Sequence, residues 1–101
     1  MAKIKPKMLR FDPSDSVDVT GYKMHYEFGG TVVDYNSPPY DLGVQTDDID
    51  LQLILGGQEG SISIGVVAYD AAGNESDMHM VATDYPLDFS APNAPSGGEV
   101  Y

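Results

Sequence analysis

Apolar and polar residues alternate through several stretches of this chain, and the alternation predicts strands. In residues 61–69, Ile62, Ile64, Val66 and Ala68 share one face, and Ser61, Ser63, Gly65, Val67 and Tyr69 share the other. A period of two marks an extended chain with at least one buried face. Asp70-Ala71-Ala72-Gly73-Asn74 follows; Gly73 and Asn74 enter positive φ readily, so the chain reverses there. Residues 78–83 then run back as the second arm of an antiparallel hairpin.

Residues 21–28 alternate most cleanly, with Tyr22, Met24, Tyr26 and Phe28 against Lys23, His25 and Glu27. Gly29-Gly30 allows a tight hairpin, and residues 31–35 are read as its short returning strand, broken by Asn36-Ser37-Pro38-Pro39. An earlier strand spans residues 7–11 and places Leu9 and Phe11 on one face, ahead of the turn Asp12-Pro13-Ser14-Asp15-Ser16. Residues 41–48 form a polar connection. Ile49, Leu51, Leu53 and Leu55 alternate with Asp50, Gln52 and Ile54, which reads as a further half-buried strand. No helix and no internal repeat is expected. The core should be built from Leu9, Phe11, Tyr22, Met24, Tyr26, Leu51, Leu53, Ile62, Ile64, Val66 and Ala68. Short strands at this spacing indicate an all-β antiparallel sandwich of about seven strands.

Composition narrows the picture. A chain of 101 residues suits one domain with its own core. It has no cysteine, which excludes disulfides and thiolate metal sites. No apolar run is long enough to cross a bilayer, and residues 1–10 lack the apolar core of a secretory signal.

Charge adds more. Four of the five basic residues, Lys3, Lys5, Lys7 and Arg10, lie within the first ten positions. Residues 11–101 hold all sixteen acidic side chains against a single base, Lys23, a net −15. So acidic a body disfavours nucleic acid and anionic membranes, because both need lysine or arginine to neutralise phosphate. The expected organisation is a basic N-terminal arm (1–6), a body (7–85) and a Pro/Gly-rich C-terminal arm or linker (86–101).

Catalytic signals are sparse. His25 and His79 are the only histidines, and both fall on strand faces opposite the apolar residues, where solvent exposure or a cross-strand role is expected rather than catalysis. No serine sits in a nucleophile elbow, and there is no phosphate loop or dinucleotide fingerprint. No enzyme, cofactor or resident metal is expected. Calcium is the one metal alternative, with oxygens from Asp12, Asp15 and Asp18 or from Asp47, Asp48 and Asp50, though neither set follows an EF-hand ladder. Asn74-Glu75-Ser76 is a glycosylation sequon by letter and reads here as turn chemistry.

LRFDPSDSVDVTGYKMHY, DLGVQTDDIDLQLIL and VVAYDAAGNES, within residues 7–83, together resemble a bacterial fibronectin type III domain. The resemblance implies an immunoglobulin-like β-sandwich. Phe11 stands where the family carries a tryptophan, and Ile62 stands where it carries the tyrosine that closes a corner of the sandwich. The family's first strand often follows an A-P-x-A-P segment; here APNAPSGGEVY comes last, at residues 91–101. Such a segment would cover a sheet edge in its own subunit or in the next, or serve as a linker.

The functional expectation is a non-catalytic structural module, an accessory or decoration subunit of a larger assembly such as a viral capsid or tail. Its partners would be proteins, other subunits or further copies of the chain, engaged through Lys3, Lys5, Lys7, Arg10, Val100 and Tyr101. The alternative is a spacer or adhesion module from a secreted bacterial surface or carbohydrate-active protein. A virion location goes with a complete chain, and an extracellular or cell-surface one with a fragment.

Overall fold

The computed structural model describes residues 3–100 and is mostly β-strand, in two antiparallel sheets. In chain order the elements are β1 (Met8–Leu9), β2 (Val19–Phe28), β3 (Pro39–Gly43), β4 (Ile49–Asp50), α1 (Leu51–Leu55), β5 (Gly60–Asp70) and β6 (His79–Leu87). The larger sheet has the order β3-β2-β5-β6, and the smaller pairs β1 with β4.

The alternation in the sequence sets the register of the central pair. Tyr22 stands opposite Ala68, Met24 opposite Val66, Tyr26 opposite Ile64 and Phe28 opposite Ile62. Two apolar rows thus share one face of the sheet. Leu9 of β1, Ile49 of β4 and Leu51 and Leu55 of α1 close over that face, and Leu87 and Phe89 join from the end of the chain. Burying each large apolar side chain contributes about 1.5–3 kcal/mol. Phe11, in the tryptophan position of the resemblance, is half-buried and packs edge-on against Tyr22 with ring centroids 5.2 Å apart. Ile62 is fully buried.

The β5–β6 turn reverses at Gly73 as expected but not at Asn74, and Asp70 holds it. One Asp70 carboxylate oxygen accepts from the backbone N–H groups of Ala72 (3.0 Å) and Asn74 (2.9 Å). The other accepts from the Asn74 side-chain amide at 3.1 Å. Gly73 takes the left-handed conformation, φ 87°.

Four expectations are corrected. First, residues 49–55 are not one strand: the strand stops at Asp50, and a five-residue helix follows. Asp50 caps its start, accepting from Gln52 N–H at 2.9 Å, and Gly56 ends it in the left-handed region, φ 63°. Leu51 and Leu55, one helical turn apart, are buried, whereas Leu53 is 83% exposed and leaves the core list.

Second, residues 31–35 form no strand; β2 pairs instead with β3, after a loop over residues 31–38. Pro39 opens β3, and β3 lies at the sheet edge, where a missing N–H costs no ladder bond. Third, His25 is buried, not exposed, because that loop folds over the outer face of the large sheet. Val33 and Ser37 of the loop are buried there, together with His25 and Val67. Fourth, the described residues contain six strands and one helix rather than about seven strands.

The chain is long for its size. Its radius of gyration is 17.4 Å and its extents are 69 × 25 × 19 Å, against about 13 Å expected for a compact body of this length. Beyond Ala91 the C-terminal arm is exposed and forms no strand.

Candidate partner-binding groove

β1 has a neighbour on one side only among the described residues. The Lys7 carbonyl accepts from Leu51 N–H at 3.0 Å, and Phe11 N–H donates to the Thr46 carbonyl at 2.9 Å, both toward the β4 side. Backbone groups in an antiparallel strand face alternate sides. Met8 and Arg10 therefore turn their N–H and C=O groups to the open side. β6 is likewise the last strand of its sheet.

Between these two edges lies a groove of about 430 Å³. Leu9, Leu51 and Ile64 form its apolar floor, Lys5, Pro6, Lys7 and Met8 one lip, and Val81, Ala82 and Tyr85 of β6 the opposite wall. The Lys7 ammonium donates to the Lys5 carbonyl at 2.6 Å, which keeps the lip segment turned back on itself. Where the groove runs on past Val81, Arg10 lines a second hollow with Asp12, Asp47 and His79.

Lys5, Lys7 and Arg10 are thus strung along one edge. Lys3 is exposed just before them. Val100 is fully exposed on the C-terminal arm and lines none of these hollows; Tyr101 lies outside the described residues. The opposite wall, Val81, Ala82 and Tyr85, was not among the site residues expected from sequence. Nothing local marks it, since it becomes a wall only through the position of β6 at a sheet edge.

The root of the arm is held. Glu59 accepts from Phe89 N–H at 2.6 Å and from the Ser90 hydroxyl at 3.0 Å. Beside it the Ser90 N–H, first, and then the Glu59 carboxyl and Lys7 hold Asp88 below the usual carboxylate value.

A polar cluster occupies the outer face of the large sheet. Its centre is His25, whose Nδ1 faces the Ser37 carbonyl and whose Nε2 lies 3.6 Å from a Glu75 carboxylate oxygen. The other Glu75 oxygen is 4.0 Å from the Lys23 ammonium. Lys23 also lies 5.1 Å over the Tyr69 ring, and the Tyr69 hydroxyl donates to Asp41 at 2.9 Å. The Gly43 N–H, first, and this phenol lower the Asp41 pKa, and the carboxylate raises that of Tyr69. The Tyr35 hydroxyl donates to the Ser76 carbonyl at 2.7 Å and ties the covering loop to the β5–β6 turn.

His25 sits on β2 and His79 on β6, with β5 between them, so they do not form a shared site. Among the described residues no three His, Cys, Asp or Glu side chains are grouped to hold a metal ion. None of the described helices is long and apolar enough to cross a membrane. Comparison with protein-family models, curated proteins and solved structures finds no match to this chain.

Proposed function

We propose that this chain is a fibronectin type III-like sandwich acting as a non-catalytic assembly module, an accessory or decoration subunit of a larger protein particle such as a viral capsid or tail. The observation that supports this is the groove between β1 and β6. It sets exposed Met8 and Tyr85 and half-buried Val81 and Ala82 around a buried apolar floor between two strand edges, beside lysines on an otherwise acidic protein. Unpaired edges beside an apolar floor suit protein partners that add an extended segment. The anchored, exposed C-terminal arm favours a second reading, a spacer module joined to neighbouring domains through a Pro/Gly-rich linker.

The test is incorporation. A tagged chain is produced in cells that make the complete particle, and the particles are separated on a density gradient. A fixed number of copies per particle is the expected result. Absence from every high-mass fraction overturns the assembly reading, and a reading frame that runs on into further domains favours the spacer.

A further inference from the structure

The sandwich has a second seam. The order β3-β2-β5-β6 puts β3 and β6 at opposite edges of the large sheet, about 15 Å apart at ordinary strand spacing. β6 faces β1 across the groove already described. At the other edge β3 faces β4 and α1, across a hollow of about 240 Å³ that includes Tyr40, Leu53, Asp41, Asp48 and Asp50.

The two seams differ in charge. Lys5 and Lys7 are the charged residues that line the β1/β6 groove. Three aspartates and no base line the β3/β4 hollow. Each seam also presents exposed apolar side chains: Met8 (51%) and Tyr85 (45%) on the first, Tyr40 (45%) and Leu53 (83%) on the second. Single exposed apolar residues are ordinary. Here they are paired within seams of defined and opposite charge.

We propose that the β3/β4 seam of one copy docks on the β1/β6 groove of a second copy. This deepens the assembly reading, on which it rests, by naming the partner as the chain itself. Two β1/β6 grooves repel through their lysines, and two β3/β4 seams repel through their aspartates. Only unlike seams attract. The contact is therefore heterologous, and successive copies add head to tail until a ring closes or a row extends. Leu53, on the outward side of α1, supplies the apolar side chain that the groove floor takes up.

Two double variants test this by sedimentation velocity on the full chain. Lys5→Ser with Met8→Ser disables the basic seam, and Tyr40→Ser with Leu53→Ser disables the acidic one. All four side chains are exposed, so both variants should melt with the parent, which keeps loss of fold separate from loss of contact. The parent should self-associate with a mass that rises with concentration. The association should weaken at least about fivefold from 0.1 to 1 M salt, as the screening length falls from about 10 to about 3 Å. Each variant alone should be a monomer, and an equal mixture should form a dimer and nothing larger, through the one intact pair of seams. A parent that stays monomeric at every concentration overturns the proposal, as does either variant associating like the parent or a mixture that forms no dimer. A monomeric parent that still enters particles overturns this inference alone; a self-associating parent absent from particles overturns the assembly reading alone.

Discussion

The Nδ1 atom of His25 lies 2.9 Å from the carbonyl oxygen of Ser37. A carbonyl only accepts, so this nitrogen carries the hydrogen in the neutral ring. Nε2 is then a buried acceptor with no donor. The bond joins the covering loop to the outer face of the sheet. Replacing His25 with Ala leaves a cavity and deprives a buried carbonyl of its partner. A loss of about 2–4 kcal/mol is expected in urea unfolding, with faster amide exchange across residues 31–38. Unchanged exchange there would show that the loop is held by other contacts.

The helix assignment has its own contrast. Leu55 is buried and Leu53 is 83% exposed. Leu55→Ala should cost about 2–5 kcal/mol, and Leu53→Ala less than about 0.5 kcal/mol. A strand through residues 49–55 would make the two losses similar. Thermal melts of the pair decide between the two structures.

Gly21 lies under the Tyr69 ring. A Cβ at this position would sit 2.5 Å from the Tyr69 hydroxyl oxygen and 3.0 Å from the Gly43 carbonyl oxygen. Gly21→Ala must push the tyrosine aside and break its hydrogen bond to Asp41, at a cost of about 1–3 kcal/mol. In a double-mutant cycle, Tyr69→Ala should remove part of that cost. Full additivity would mean that the two residues do not touch.

Acid should weaken the β5–β6 turn. Asp70 is held below its ordinary value of 3.8, chiefly by the Asn74 side chain and then by backbone N–H groups. A folded-state pKa lowered in this way contributes stability that is fully present above the unfolded value. That stability is lost as pH falls through the folded value. Asp70→Ala should therefore be less stable than the parent at neutral pH and should show a flatter decline below pH 3.8. Parallel acid limbs in pH-dependent urea titrations would rule out the carboxylate as the source.

What could be read from sequence was local. The period of two in residues 21–28 and 61–69 located β2 and β5, and the Asp-Ala-Ala-Gly-Asn turn joined β5 to its returning strand. Residues 49–55 misled because leucines at alternate positions also satisfy a helical spacing of four. Asp50 and the pair Gly56-Gly57 were the overlooked cap signals. The β-branched run Thr31-Val32-Val33 has strand propensity, yet its loop is held by contacts distant in sequence, His25 with Ser37 and Tyr35 with Ser76. The basic cluster near the N-terminus was visible as composition. That Lys5 and Lys7 border an apolar groove was not, because its far wall is set by sheet order.

The hold of Glu59 on Phe89 and Ser90 gives the arm a mechanical role. Slack begins only beyond Ser90, since Phe89 is buried and its N–H is bound. Leu87 is paired with Gly60 at the start of β5. Tension drawn outward along the strand axis therefore reaches the β5–β6 ladder as shear, with several hydrogen bonds resisting together. The same tension applied across the sheet would peel them apart one at a time.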